Sequence, residues 1–329
     1  MEGNSSASYA GIGGVGSSIW PLTGPEVVSR EKLKELRVRS NGPGLFNLAV
    51  HILALAVTGS LVYFASGSLW LQIPAMLLYG TVIVLMFAPL HECSHGTAFR
   101  SRWLNHVVGF AIGAITMRPF LYFKYRHAAH HTYTQHDERD PDIVPFPTTL
   151  REYFAMILGA SFWPKLAGTL IRGSTGNYTE EEKTFLPDTV RGQVSLEIRL
   201  LVLLYIVIAA ASIYFGSMIA LVYWFIPRVI GEPVLRAIRM AEHTGADESP
   251  DLLANTRTTL VNPLLRQLYW NMPFHAEHHL ASSVPFHALS RLHDHVEPHL
   301  KHVSKGYIQV HREILGEVLR LQRQARRAA

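Results

Sequence analysis

Three histidine groups carry the chemistry this chain could perform. His91-Glu92-Cys93-Ser94-His95 is an H-x-x-x-H pair, while His127-Ala128-Ala129-His130-His131 and His275-Ala276-Glu277-His278-His279 are both H-x-x-H-H. On a helix, positions i, i+3 and i+4 share a face, so each H-x-x-H-H presents three imidazoles within an arc of roughly 100°. A lone histidine is usually a satisfied core or surface group. A cluster of unpaired imidazoles beside apolar segments costs free energy unless a metal takes up the lone pairs. Imidazole suits iron, zinc, copper and nickel, so the ligand type does not name the metal. Number is more informative: a zinc site uses three or four protein ligands, whereas eight histidines provide for two metals with a position left open for a small ligand. His243, in Arg239-Met240-Ala241-Glu242-His243, is a candidate ninth ligand. Glu92, Asp137, Asp140, Glu242 and Glu277 are candidate acceptors that would hold the outer ring nitrogens of the ligands.

Two other chemistries compete for these residues. His91 to His95 is also a literal H-E-x-x-H, the zinc protease signature, but a protease needs only one further ligand and leaves both H-x-x-H-H groups without a task. A histidine-rich metal transporter would place its histidines inside membrane spans, whereas these fall at span ends and beyond.

The elements that must position the boxes are read from the apolar runs. No Asp, Glu, Lys or Arg occurs from Gly42 to Leu90 or from Leu200 to Pro227. A bilayer helix needs about 20 apolar residues, so the first run holds two spans, expected at 45–65 and 69–90 around Ser66-Gly67-Ser68. The second run suits one long or two short spans. A single crossing would put His275 to His279 on the opposite side from His91 and His95, where they could share no centre. Two spans are therefore expected, at about 197–216 and 217–235, with Gly216-Ser217 as the turn. The expected fold class is all-α: four transmembrane helices in two hairpins, with a helical cap carrying the boxes. The Lys and Arg residues between Glu92 and Arg199 place that cap and both termini in the cytoplasm by the positive-inside rule. The segments 107–123 and 154–171 are apolar but interrupted, and read as buried or interfacial helices, with short spans the competing reading.

Residues 1–40 are expected to be a mobile N-terminus without signal-peptide features, followed by a basic surface helix at Arg30 to Arg39. Gly11 to Gly16 forms a literal G-x-G-x-x-G, but Pro21 follows and no strand precedes it, so it is not read as a dinucleotide site. Residues 41–311 form the expected membrane domain and 312–329 a basic tail. His287, His293, His295, His299 and His302 lie at mixed spacing and read as solvated or membrane-surface histidines. The net charge of +5 flanks apolar spans rather than forming a stripe, which argues for membrane orientation and against nucleic acid. With Cys93 as the single cysteine, intrachain disulfides and cysteine-based zinc or iron–sulfur sites are excluded.

The boxes, their order and the intervening hairpins resemble the integral-membrane fatty acid desaturase superfamily of His-box diiron desaturases, hydroxylases and ketolases, over roughly Leu45 to His295. Asn105 after the first box, Thr132-Tyr133-Thr134 and Asp140-Pro141 after the second, and Asn271-Met272-Pro273-Phe274 before the third resemble bacterial members. The resemblance implies that His91, His95, His127, His130, His131, His275, His278 and His279 ligate two irons, and His243 matches an extra histidine such proteins often carry. It also implies an oxygen-dependent oxidoreductase acting on a fatty acyl or similar aliphatic chain in a membrane, expected to be a bacterial inner membrane. Introduction of a double bond is the leading expectation. Hydroxylation or ketolation of an alkane, carotenoid or aliphatic natural product, including amino-acid-derived ones, is the alternative. Dioxygen is the expected co-substrate, and a separate ferredoxin or cytochrome-type donor with its reductase the expected partner, docking on the basic cytoplasmic face. The first-box spacing and Arg239 depart from acyl-CoA desaturases of the animal type.

Overall fold

The computed structural model describes residues 27–328, so the Gly11 to Gly16 motif and most of the expected mobile N-terminus lie outside the described residues. The regular structure of the described chain is helical apart from one parallel pair of two-residue strands, Thr258–Thr259 and Val303–Ser304. Helix α1 (Arg30–Leu36) is the expected basic segment, capped by the Ser29 hydroxyl accepting from the Lys32 amide. Helices α2 (Gly42–Phe64) and α3 (Leu69–Leu85) form the first hairpin, and α3 continues past Met86 into α4 (Phe87–His95). Gly96, at φ +67°, terminates α4 directly after the second histidine of its box.

The next two segments fold back on themselves. Helices α5 (Arg102–Thr116) and α6 (Phe120–Tyr133) meet at a bend of 99°, and α7 (Leu150–Ile157) and α8 (Phe162–Thr175) at 49°. These are the segments the sequence left open between interfacial and spanning. The carbonyl end of α5 would be orphaned in an apolar setting, but three side chains from later in the chain donate to it. Tyr205 Oη reaches the Ala114 carbonyl at 3.0 Å, Trp224 Nε1 that of Ile115 at 2.7 Å and Arg228 Nε that of Thr116 at 2.8 Å. Each such bond contributes about 1 kcal/mol net, and leaving a buried carbonyl unpaired costs more.

After the short α9 (Glu180–Phe185) comes α10 (Asp188–Tyr214), which starts nine residues before the expected span at 197. The chain returns through a π-helical turn, Leu221–Phe225, into α11 (Ile226–His243). Three helices are long and apolar enough to cross a membrane, Gly42–Phe64, Leu69–His95 and Asp188–Tyr214, or up to five if each bent pair is one span. The segment expected as the fourth span, 217–235, is not among them although it is helical. Arg228 and Glu232 are fully buried in it and joined at 2.7 Å, with Arg236 bonding Glu232 at 2.8 Å. Its polar residues face protein, Arg228 meeting the Thr116 carbonyl and Glu232 meeting Arg118, while its glycine face packs along α3 at backbone contact. A Cβ on Gly80 would lie 2.2 Å from the Pro227 carbonyl oxygen, and one on Gly231 would lie 2.4 Å from that of Gly80.

The remaining elements close over the inner ends of these helices: α12 (Pro263–Leu268), α13 (His275–Leu280), α14 (Leu289–Val296) and α15 (Tyr307–Ala328). A central core of Phe87, Phe99, Phe120, Trp270, Phe286 and their neighbours lies around the first and third boxes. Helix α15 runs unbroken through residues 311 and 312, where a tail was expected to begin. Its Val310, Ile314 and Val318 pack with Tyr153 and Met240, each fully buried aliphatic side chain contributing about 1.5–3 kcal/mol.

Candidate metal centre

The box histidines sit at helix ends. His91 and His95 occupy the last two turns of α4, His127, His130 and His131 those of α6, and His243 is the last residue of α11. Carbonyl ends of helix dipoles favour cations, so three helices aim a weakly negative terminus at the same place. The six-residue α13 brings His275, His278 and His279, all buried, from a segment more than 140 positions away from the second box. The sequence spacing works here as helical geometry requires: each H-x-x-H-H puts its imidazoles on one face.

Two groups result. Ligand atoms of His91, His95, His127, His131 and His278 lie within 4.8 Å of one another, as do those of His130, His243 and His279. They adjoin, because His131 stacks on His279 with ring centroids 4.1 Å apart. His275 joins the second group through a 3.2 Å contact of its Nε2 with His243 Nε2. Inside the first group, His131 Nε2 is 3.0 Å from His127 Nε2 and 3.1 Å from His278 Nε2. All nine candidate ligands are thus within one continuous cluster.

That cluster is short of protons and partners. Both ring nitrogens of His91, Nε2 of His95 and His279, and Nδ1 of His127, His275 and His278 are buried without a hydrogen-bond partner. The imidazoles of His275, His278 and His279 are held well below the usual histidine range, first by burial and then by neighbouring imidazoles. They are therefore neutral, with lone pairs available. So many unpartnered ring nitrogens in a dry setting, in two groups, fit a pair of histidine-ligated metal ions. The arrangement does not resemble a single H-e-x-x-h zinc site, since residues of all three boxes stand around His91 and His95.

The outer nitrogens show which way several rings are turned. Asp140 lies 2.8 and 3.0 Å from His130 Nδ1, leaving Nε2 for the cluster, and is itself held by the amides of Gln135 and Asp142 at 2.9 and 2.8 Å. Thr134 Oγ1 is 3.2 Å from His279 Nδ1, a contact not anticipated from the sequence, where Thr134 counted only as part of the Thr132-Tyr133-Thr134 motif and not as a partner of a ligand. Glu92 stands between two boxes, 3.6 Å from His91 Nδ1 and 3.8 Å from His278 Nδ1, while accepting from the Thr97 hydroxyl and the Phe286 amide. Glu242 accepts from Tyr269 Oη and lies 3.6 Å from His275 Nε2, the nitrogen that also meets His243, and so not at that ring's outer nitrogen as expected.

Two more expected acceptors are placed differently. Glu277 accepts from Thr258 Oγ1 and bonds His293, not a box histidine, because its side chain leaves α13 on the face opposite the cluster. Asp137 is 85% exposed beside His136, its segment having turned outward past Gln135. His293, read from the sequence as a solvated or membrane-surface histidine, is buried, and its bond to Glu277 raises its basicity. Helical spacing within the tail held no sign of this contact, which depends on α14 packing on α13.

The model of the fatty acid desaturase family matches residues 68–311. Among characterised proteins, the chain is 23% identical over 261 residues to an acyl-lipid omega-3 desaturase (cytochrome b5) of the endoplasmic reticulum from Arabidopsis thaliana, covering 74% of this chain and 66% of the relative. It is 27% identical over 237 residues to a fatty acid desaturase from Bacillus subtilis, covering 66% of each. A shorter match, 28% over 116 residues and 33% of each chain, is to an sn-1 oleoyl-lipid 12-desaturase from a Picosynechococcus species. The chain therefore spans 66% of the length of two of these relatives and 33% of the third.

Proposed function

This chain belongs to the fatty acid desaturase family of membrane oxidoreductases in lipid metabolism, and from that premise we propose that it desaturates an aliphatic chain at two irons held by its histidine cluster. The observation that carries the reading is the convergence of all three boxes and His243 in one buried, partner-poor group of imidazoles, of which all but the Asp140-bound His130 are pushed below the usual histidine range by burial. His91, His95, His127, His131 and His278 would hold one ion, and His130, His243, His275 and His279 the other. Iron held there would supply the oxidising chemistry by which dioxygen, two external electrons, two protons and two hydrogens from neighbouring substrate carbons become two waters and an alkene.

The chain's own residues set the conditions. Asp140 keeps the proton of His130 on Nδ1, and Thr134 orients His279, so both rings present the inner nitrogen without rearrangement. Phe87 and Phe123 pack on the rings of His91 and His127, keeping water away from the site of hydrogen removal. Electrons come from a separate protein donor docking on the cytoplasmic side. The membrane arrangement that fits is four crossings, with both termini and the boxes in the cytoplasm, α11 making the fourth crossing with its charges turned to protein. Residues 41–311 would form the catalytic unit.

Metal analysis and product mass test this reading together. The purified protein should contain close to two irons per chain and, with a donor and dioxygen, yield a product two mass units lighter than its substrate. A product sixteen units heavier would make it a hydroxylase. Protein that holds zinc, and stays inactive after iron loading, would refute the diiron reading.

A further inference from the structure

Beside the metal cluster lies a cavity of about 220 Å³, walled by α6, α8, α11 and the turn at Arg118, with His130 and His243 on one side. Its walls carry five cations: Arg118, Arg126, Lys165, Arg236 and Arg239. The carboxylates that could balance them are few and already shared. Glu232 serves Arg118 at 3.0 Å, Arg236 at 2.8 Å and Arg228 at 2.7 Å. Asp142 serves Arg126 at 2.8 Å and Arg239 at 3.6 Å. Asp140 is turned to His130, and Glu242 approaches Arg239 only to 3.9 Å. Lys165 has no carboxylate within ion-pair distance among the described residues. Three carboxylates, Glu232, Asp142 and the distant Glu242, are thus shared among five guanidinium groups, Arg228 included.

Hydrogen-bonding capacity is left over as well. Arg118 is 9% exposed, and its Nε has no partner; Arg239 Nε is likewise buried and unbonded. The guanidinium groups of Arg118 and Arg236 each stack 4.4 Å from the Phe162 ring centroid, which fixes their planes. A buried arginine and three half-buried ones that outnumber their counter-charges are costly, and preset guanidinium forks match carboxylate and phosphate oxygens.

We propose that this cavity receives the anionic end of the substrate, a carboxylate or phosphate, so that the enzyme acts on acidic amphiphiles in preference to neutral ones. The assignment rests on the oxidative reading above for the word substrate, but the anion site itself does not. It would put the substrate's charged end against α8 and α11, next to His130 and His243.

Binding to the full chain in a non-ionic maltoside, by calorimetry at low ionic strength, tests it. Laurate and dodecyl phosphate should bind and dodecanol should not, and the tighter of the two acids identifies the head group. Arg236→Gln should weaken acid binding tenfold or more. Lys165→Gln, which breaks no ion pair in the fold, should weaken it severalfold and guards against a folding defect in the first variant. Equal binding of dodecanol, or acid binding unchanged in both variants, overturns the proposal. So does a co-purified anionic phospholipid that neither acid displaces, which would make the cavity a structural lipid site. Acid binding in the expected pattern with no oxidised product after iron loading would uphold the anion site and sink the desaturase reading instead.

Discussion

Asp140→Asn is the substitution that tests the metal centre most directly without removing a ligand. Asp140 is 5% exposed and makes four contacts: two to His130 Nδ1 at 2.8 and 3.0 Å, one from the Gln135 amide at 2.9 Å and one from the Asp142 amide at 2.8 Å. Asparagine keeps the shape but replaces one acceptor oxygen with an NH2 donor. Whichever way it turns, that NH2 meets a backbone N–H, so at least one buried amide loses its partner, at a cost of about 1–3 kcal/mol. The charge opposite His130 also disappears, and its imidazole is no longer held as the Nδ1–H tautomer. Loss of such an outer contact weakens metal binding by about 10- to 100-fold. In a titration of metal-free protein with ferrous ion against a competing chelator, Asp140→Asn should therefore bind at least tenfold more weakly, with unchanged helical content by circular dichroism. Binding within twofold of the unsubstituted protein, while His278→Ala loses the metal, would show that Asp140 does not position a ligand and would refute the geometric argument for the second ion.

Further outcomes follow from the same geometry. His278→Ala, which removes a fully buried ring between the first and third boxes, should abolish turnover and lower iron per chain while the protein still partitions into membranes, read by metal analysis and fractionation. Glu232→Gln strips three arginines of their shared counter-charge and should destabilise the protein by about 3–5 kcal/mol, visible as lost thermal stability in detergent, whereas Glu35→Gln on the exposed α1 should change it little. Gly80→Ala places a methyl 2.2 Å from the Pro227 carbonyl oxygen and should force α3 from α11 at a cost of about 1–3 kcal/mol or more, read as a lower melting temperature and reduced yield. Trp224→Phe removes the donor to the Ile115 carbonyl and, by leaving that carbonyl unpaired, should cost about 1–3 kcal/mol by the same measurement.

Much of the candidate site was legible because its information is local. Helical period alone places residues 127, 130 and 131, and 275, 278 and 279, on shared faces, and the uncharged runs from Gly42 to Leu90 and from Leu200 to Pro227 mark apolar helices. Those facts need no partner elsewhere in the chain. The acceptors around the rings were less legible. Asp140 reaches His130 through a loop turn, while Asp137, three residues earlier, points to solvent, and charge alone does not separate them.

What the sequence determined by itself was the kind of chemistry: an excess of clustered imidazoles, no cysteine set, and helices to carry them. Tertiary structure decided where polar groups go when the chain must bury them. A run ending at Arg228 reads as a span with a charged flank, yet Arg228 and Glu232 are fully buried, because each finds its partner on α11 or at the open end of α5, over 100 positions away. The same holds for Glu277, whose face of α13 turned out to be the one α14 covers with His293. Burial cost depends on the partner across the fold, and a one-dimensional pattern carries no record of which partner that is.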